Sequence, residues 1–373
     1  MASMLGGRAT TEGTARYVTR FANRLPADHF RAFHGGLRVA SLGIGTYLGR
    51  EDDPTDQAYE RSITRALERG INVIDTAVNY RHQRSERAIG RALAAGIARR
   101  AFARDEVLVA TKGGFIPFDR EVPPDPRGYF AETYVRPGIV KPGDIAGGAH
   151  CMTPRYLDDQ IERSRANLGV ETIDVYYLHN PESELSEVER EPFMARMREA
   201  FTALERAAGD GRIGVYGTAT WNGYRQDPSE PEYLSLSELT TLARQVAGDA
   251  HHFRVIQLPY NLAMPEAFTR GNQRLGDALV STLDAAGKLG MYVMASASIY
   301  QGKLARNLPA MIAELLPGLT TDAQRALQFV RSTPGIGTAL VGMKSVGHVE
   351  ENAGVAAAPP VPWEQFQRLF TAA

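Results

Sequence analysis

Four side chains that can transfer protons or stabilise charge lie at or just past the carboxyl ends of three successive predicted β-strands. Asp75 ends the second strand and Tyr80 follows it, Lys112 follows the third, and His179 follows the fourth. Each type also has an ordinary structural role: the aspartate as a helix cap, the tyrosine or the histidine as a packed core residue, and the lysine as a surface charge. Together the four suit the reduction of a carbonyl group, which takes up a hydride on one side and a proton at the developing alkoxide.

Tyr80 is the predicted proton donor and acceptor of this set. A tyrosine has an unperturbed pKa near ~10, so its hydroxyl holds its proton at neutral pH and needs help to release it. A neighbouring Lys112 cation lowers that pKa by favouring the phenolate, and Asp75 keeps the lysine charged and oriented. His179 can donate a hydrogen bond to the carbonyl oxygen and stabilise the charge that develops there.

The elements that must position these residues are short β-branched runs that alternate with longer helical stretches, as in βα units around a parallel sheet. Helices are predicted, for example, over Asp56–Glu68 and Pro154–Leu168, and the second begins with Thr153 as N-cap and a proline in its first turn. The eight predicted strands are Leu37–Leu42, Asn72–Asp75, Val107–Thr111, Ile173–Leu178, Val215–Gly217, Val255–Leu258, Tyr292–Ala295 and Thr338–Val341.

Eight strand–helix repeats favour an α/β fold of the closed (β/α)8 TIM barrel type over an open, doubly wound sheet. The open sheet would carry a GxGxxG fingerprint after its first strand, and the run Gly43–Leu48 lacks the third glycine. In a barrel the carboxyl ends of the strands converge on one mouth, where active sites lie. The four reactive side chains are therefore expected to meet there.

Two segments depart from the repeat of a barrel domain that we expect to span residues 1–373. Residues 1–36 form an N-terminal extension, in which Ala15–Arg24 carries three arginines and no acid; we interpret it as solvated, with an organellar-targeting signal as the weaker alternative. Residues 113–152 form a long loop after the third strand, which we expect to cover a substrate pocket. A spacer whose aromatic residues pack on one another is the alternative; they are Phe115, Phe118, Tyr129, Phe130 and Tyr134.

Composition and charge argue against several classes of protein. The chain has 42 Lys+Arg and 43 Asp+Glu, a formal net charge of -1, so nothing drives it towards nucleic acid. The single cysteine, Cys151, excludes an intrachain disulfide and a multi-cysteine zinc site, and no metal site is predicted. With no run of 18 apolar residues and no apolar signal segment, we expect a cytoplasmic protein without a membrane partner. The sequence does not indicate an oligomeric state.

The reactive residues lie in motifs that resemble the aldo-keto reductase superfamily, from about Arg38 to Asn352. The motifs are Gly70–Tyr80 (GINVIDTAVNY), Ser85–Leu93 (SERAIGRAL), Val109–Lys112 (VATK) and Ile173–Pro181 (IDVYYLHNP). The resemblance implies a barrel that binds NADPH or NADH in extended form across its mouth and interconverts an aldehyde or ketone with its alcohol. It also implies that the catalytic residues are Asp75, Tyr80, Lys112 and His179.

The resemblance further implies which residues bind the cofactor. Those expected near the nicotinamide and its ribose are Gly45, Thr46, Tyr47, Asp75, Thr220 and Gln257. Those expected after the seventh strand are Ser296, Ser298, Gln301 and Gly302, and those expected at the adenosine end are Lys344, Ser345, His348, Glu351 and Asn352. Each of these has a structural alternative: Gln257, for example, could merely satisfy barrel backbone, and Glu351 with Asn352 could merely begin a helix.

The chain departs from the family pattern at two positions of this set. Thr220 stands where the family commonly has an asparagine, and Ser296 stands where it often has a tyrosine that stacks on the nicotinamide. Trp221 or Tyr300 could supply the flat surface instead. Lys344 could bind the 2′-phosphate of NADPH as a point charge, so NADPH is favoured and NADH is the alternative.

Two other functions remain as alternatives to the oxidoreductase. Barrels of this family also serve as cofactor-sensing regulatory or binding subunits with little turnover, and the four reactive residues do not exclude that role. A barrel aldolase would use Lys112 as a Schiff base, which requires a neutral lysine. Asp75 opposes that state. The substrate of the oxidoreductase, a small carbonyl compound or alcohol, could be a sugar, an aliphatic aldehyde or a cyclic ketone.

Overall fold

The computed structural model describes residues 4–371 of the chain. At its centre eight parallel strands close into a barrel in which chain neighbours are also spatial neighbours, so the predicted (β/α)8 TIM barrel is confirmed. In chain order the strands are β1 (Phe30–Ala32), β2 (Arg38–Ala40), β3 (Leu42–Gly45), β4 (Val73–Asp75), β5 (Leu108–Gly113), β6 (Ile173–His179), β7 (Ile213–Ala219), β8 (Phe253–Pro259), β9 (Gly271–Leu275), β10 (Ala278–Ser281), β11 (Tyr292–Ser296) and β12 (Thr338–Gly342).

The α-helices lie mainly between the barrel strands and pack on their outer faces. They are α1 (Thr11–Phe21), α2 (Asp53–Glu68), α3 (Arg84–Ala98), α4 (Pro126–Phe130), α5 (Pro154–Leu168), α6 (Arg190–Gly209), α7 (Leu236–Ala247), α8 (Glu266–Thr269), α9 (Thr282–Lys288), α10 (Ala310–Leu315), α11 (Asp322–Ser332), α12 (Val346–Ala353), α13 (Trp363–Phe366) and α14 (Arg368–Thr371). Within residues 4–371, no helix is long and apolar enough to cross a membrane.

The barrel strands are β3 to β8, β11 and β12. Seven of the eight predicted strands are confirmed, with ends that shift by at most two residues. The helix Pro154–Leu168 is confirmed at both ends, although the Thr153 side chain makes no capping hydrogen bond. The helix predicted at Asp56 begins at Asp53, because the side chain of Asp52 accepts a hydrogen bond from the Thr55 amide and caps it there.

The first predicted barrel strand, Leu37–Leu42, is wrong. Residues 38–40 form β2, which pairs antiparallel with β1, and the barrel strand β3 begins at Leu42. This hairpin closes the amino end of the barrel: Phe33 and Val39 are buried with the inward-facing barrel residues, and the Phe33 ring lies 4.8 Å from that of Tyr292. A β-branched run does not indicate whether its partner is parallel or antiparallel, which explains the error.

The expectation of a solvated N-terminal extension is also wrong. Helix α1 begins at the Thr10 N-cap and buries Tyr17 and Phe21, which lie four residues apart on one face. The Tyr17 hydroxyl donates a hydrogen bond to the Leu67 carbonyl at the end of α2. The three arginines of the segment 15–24 remain on its outer side, so the same sequence presents a packed face and a charged one.

The long loop 113–152 packs mostly on itself and on α5. Tyr134 and Tyr156 form the centre of a buried cluster that Tyr129 and Phe130 complete. The ring of Phe118 contacts that of Tyr129 at 5.6 Å. Most of the aromatic residues of the loop therefore pack within the loop itself.

Candidate active site

A cavity of about 870 Å³ lies at the carboxyl ends of the barrel strands. Tyr80, His179 and Asp75 line it, and Lys112, which is 1% exposed, lies buried beside them. The expected cofactor residues that also line it are Gly45, Thr46, Tyr47, Thr220, Gln257, Ser296, Ser298, Gln301, Gly302, Lys344, His348, Glu351 and Asn352. Ser345 does not line the cavity. Its side chain caps α12 by accepting a hydrogen bond from the His348 amide.

Lys112 is the centre of the polar network at the bottom of this cavity. Its Nζ donates to Asp75 Oδ2 at 2.8 Å and to the Thr76 carbonyl at 2.7 Å, and lies 3.5 Å from the Tyr80 hydroxyl. The second carboxylate oxygen of Asp75 accepts a hydrogen bond from Gln257 Nε2 at 2.7 Å. The lysine is held on two sides and can turn its remaining proton towards the tyrosine.

The parallel register of the sheet produces this network. Asp75 on β4 is paired with Ala110 on β5, two residues before Lys112, so the two side chains emerge at the same end of neighbouring strands. Tyr80 follows in the turn after β4, where its ring lies 4.9 Å from that of Tyr47 and 5.8 Å from that of His179. The structure thus brings all four predicted catalytic residues together.

Burial and charge set the protonation states of these groups. Burial raises the pKa of Tyr80, and the opposing effect of the Lys112 cation does not reverse the direction. Burial alone would lower the pKa of Lys112, but the charges and hydrogen bonds of Asp75 and Tyr80 raise it. The expected lowering effect of Lys112 on the tyrosine pKa is present, but desolvation exceeds it and the net shift is upward.

His179 is neutral in this environment. Burial lowers its pKa well below the ordinary value, and the Lys112 and His150 side chains lower it further. Its Nδ1 is buried and has no hydrogen-bond partner among residues 4–371. Since a buried N–H without an acceptor is costlier than an unused lone pair, the ring proton belongs on Nε2, where it can be donated into the cavity.

Two orphaned polar atoms indicate that the cavity is built for a polar ligand. Thr220 Oγ1 and Asn352 Oδ1 are buried and unpaired within the described part of the chain, and both residues line the cavity. Thr220 lies just after β7 and Asn352 on α12, so the two atoms belong to different parts of the wall. Buried polar atoms normally have partners, so a ligand that reaches both would satisfy them.

Sequence reasoning missed several residues that line the cavity. Asn79 and Asn180, which directly precede Tyr80 and follow His179, both reach it, as does Arg306 in the segment after β11. Adjacency to a reactive residue was the available signal for the asparagines. Trp221, 40% exposed, lines the cavity and Tyr300 does not, so of these two residues only the tryptophan offers a flat surface to the cavity.

Comparison with known proteins gives a family match and a curated relative. The family model described as "Aldo/keto reductase family" matches residues 41–226, about half of the chain. A 6-dehydroglucose reductase from Novosphingobium aromaticivorans is 25% identical over 203 residues, which are 53% of this chain and 53% of that protein. The chain thus aligns with about half the length of this curated relative.

Solved structures of the same fold cover nearly the whole chain. An aldo/keto reductase from Klebsiella pneumoniae, solved in complex with NADP and acetate, is similar at 20% identity with a TM-score of 0.61, over 92% of this chain and 95% of that one. A glycerol dehydrogenase from Gluconobacter oxydans is similar at 20% identity with a TM-score of 0.64, over 93% and 95%. These similarities show the fold, and the family match places the chain: it belongs to the aldo/keto reductase family.

Proposed function

We propose that the protein is an NADPH-dependent oxidoreductase that interconverts an aldehyde or ketone with its alcohol, with Tyr80 as the general acid and base. The observation that carries this proposal is the position of Lys112 Nζ, 2.8 Å from Asp75 Oδ2 and 3.5 Å from the Tyr80 hydroxyl. A phenol in contact with a buried, paired cation can give up its proton and take it back, which reduction and oxidation respectively require.

Each residue has a separate task in this proposal. Tyr80 donates its proton to the substrate oxygen, Lys112 stabilises the phenolate that remains, and Asp75 keeps the lysine charged. Neutral His179 donates a hydrogen bond to the same oxygen and stabilises its developing charge. A nicotinamide cofactor bound across the mouth would supply the hydride. Thr220 and Asn352, with their unpaired oxygen atoms, are among the residues that would hold it.

The substrate half of the cavity combines aromatic and amide side chains. Phe115, from the long loop, and Trp221 line the cavity, as do Asn79 and Asn180. Aromatic faces suit the C–H faces of a sugar and amides suit its hydroxyls. Two of the similar proteins are named as a 6-dehydroglucose reductase and a glycerol dehydrogenase. We therefore place sugars and polyols first among the small-molecule substrates to be tried.

The test is a spectrophotometric screen of the purified protein with NADPH and NADH, in both directions, against sugars, polyols, aliphatic aldehydes and cyclic ketones. Oxidation of NADPH with one of these carbonyls is the expected result. Tight cofactor binding without turnover in the whole panel would instead favour the cofactor-sensing regulatory role. Borohydride trapping of a carbonyl compound on Lys112 would overturn the hydride-transfer proposal in favour of an aldolase.

Lys344 carries the proposed preference for NADPH. It is exposed at the rim of the cavity, near the exposed His348, where its charge can pair with a 2′-phosphate. We expect Lys344→Ala to weaken NADPH binding by about tenfold, the value of one charge-assisted hydrogen bond, and to leave NADH binding nearly unchanged. Fluorescence titration with both cofactors measures this. Lys303→Ala is the matched control, because Lys303 is exposed but does not line the cavity.

Equal losses for the two cofactors would remove Lys344 from the 2′-phosphate site. The preference for NADPH would then have to be sought in Arg306, the other cation in the wall of the cavity.

A further inference from the structure

A second histidine lies behind the active-site histidine and is not part of the cavity. His150 is 2% exposed and belongs to the long loop 113–152. The Phe115 ring contacts both histidines, 5.2 Å from the ring of His150 and 5.1 Å from that of His179. His150 is therefore placed to act on His179 without touching a substrate.

The backbone around His150 is built to hold it there. The Cys151 amide donates to the Gly114 carbonyl at 2.8 Å and the Ile116 amide to the Ala149 carbonyl at 2.9 Å. These two backbone hydrogen bonds join the end of the loop to its beginning. Gly114 has φ +145, and a Cβ added there would lie 2.6 Å from His150 Nε2. Only glycine allows the imidazole to approach this closely.

Both ring nitrogens of His150 face hydrogen-bond acceptors. Nε2 lies 2.9 Å from the backbone carbonyl oxygen of His179, which can only accept. Nδ1 lies 2.8 Å from Oε1 of Glu184, a fully buried residue. The other oxygen of this carboxyl group accepts a hydrogen bond from Arg196 Nη1 at 2.8 Å, so a cation faces the carboxyl group on that side. A neutral imidazole carries one N–H and would leave one of these contacts without a proton.

We propose that His150 is a positioning residue, held as an imidazolium between Glu184 and the His179 carbonyl, that keeps His179 a neutral hydrogen-bond donor. Its charge state stands on the geometry alone, and only its role in the reaction rests on the proposed function.

The charged and titratable groups around His150 support this arrangement. Glu184 and Arg196, from the turn after β6 and from α6, balance each other, so the imidazolium contributes one net positive charge. Cys151, beside it in the loop, is a neutral thiol because burial raises its pKa. His179 thus has the Lys112 cation and the His150 cation near it, and both lower its pKa. The proton for the substrate is then left to Tyr80.

The chain offers an internal reference for the charge state. His29 is also fully buried, but its Nε2 faces the Gly70 carbonyl and its Nδ1 faces the Ser41 hydroxyl, which can donate. The same hydroxyl oxygen accepts from Arg331, and burial lowers the pKa of His29 to about 3. His29 is therefore a neutral histidine with one N–H, in contrast to the two on His150.

The first test is NMR of the full chain labelled with nitrogen-15 at histidine, which needs no turnover. At neutral pH, we expect two N–H protons and the nitrogen shifts of an imidazolium for His150, with one N–H for His29. A His150 signal with a single N–H would overturn the proposal, whether or not the protein reduces carbonyls.

The second test follows the titration of His179 in His150→Gln, since an amide can still donate to the His179 carbonyl but has no charge. We expect this titration to move to higher pH by on the order of one unit, and an acid limb that follows it to appear in the kcat profile. Arg198→Gln, the control, removes an exposed cation of α6 that lies outside this cluster and should leave both unchanged. An unmoved His179 titration in His150→Gln would show that His150 is only structural.

Discussion

Replacing Tyr80 with phenylalanine should lower the rate of carbonyl reduction at neutral pH by about 10²- to 10⁴-fold, the usual contribution of a general acid. The change removes the hydroxyl and leaves the ring, which contacts Tyr47 and His179 at centroid distances of 4.9 and 5.8 Å. Packing and cofactor affinity should therefore be preserved. Steady-state rates and cofactor titrations of the same preparation measure the two effects separately.

Tyr176→Phe is the control for this change. Tyr176 is fully buried on β6, the strand that carries His179, and its hydroxyl has no hydrogen-bond partner within residues 4–371. Loss of the hydroxyl in Tyr176→Phe should leave the rate of carbonyl reduction unchanged. A Tyr80→Phe variant that reduces carbonyls at the normal rate would refute Tyr80 as the proton donor, and His179 would be the next candidate.

The pH dependence of the two directions follows from the raised pKa of Tyr80. Burial raises this pKa above its ordinary value of 10.0, and Lys112 opposes the shift. Reduction needs the phenol, so it should persist from neutral into alkaline pH and be lost only as the pH rises through the raised pKa. Alcohol oxidation needs the phenolate and should rise over the same range. Rates in both directions across that range, with Tyr80→Phe as reference, measure this.

The barrel and the four reactive residues could be predicted because both depend on local patterns. A buried parallel strand reads as a continuous apolar or β-branched run, and a polar residue at its carboxyl end is conspicuous. Lys112 and His179 stand directly at such ends. Helix α1 could also have been found, because Thr10 is a typical N-cap and Tyr17 and Phe21 are four residues apart.

The features that could not be predicted from the sequence depend on contacts between residues that are distant in the chain. Whether Arg38–Ala40 joins the barrel or the hairpin at its amino end is decided by its antiparallel partner β1 and by the space that Phe33 fills. The contact of His150 with Glu184 joins residues 34 apart in the chain. Neither contact produces a periodic pattern in the sequence from which it could be predicted. The direction of the Tyr80 pKa likewise required its burial to be known.

The ion pair of Lys112 and Asp75 contributes differently to stability and to activity. Both residues are buried, at 1% and 5% exposed, and Nζ and Oδ2 lie 2.8 Å apart. A buried pair regains in mutual attraction roughly what its desolvation costs, so the complete pair adds little to the free energy of unfolding. Removing one partner leaves the other charged and buried, and this lowers the free energy of unfolding.

We therefore expect Lys112→Met to lower the free energy of unfolding by about 3–5 kcal/mol, because the Asp75 carboxylate loses its cation. Asp75→Asn/Lys112→Met should recover much of that loss, because the asparagine is neutral and can still accept the hydrogen bond from Gln257. Urea unfolding of both variants measures the difference. Reduction should fall by on the order of 10²-fold or more in both, since neither has a cation beside the Tyr80 hydroxyl.

A double variant no more stable than Lys112→Met would show that the pair does not compensate its own burial. A double variant that still reduced carbonyls would show that Tyr80 releases its proton without the lysine.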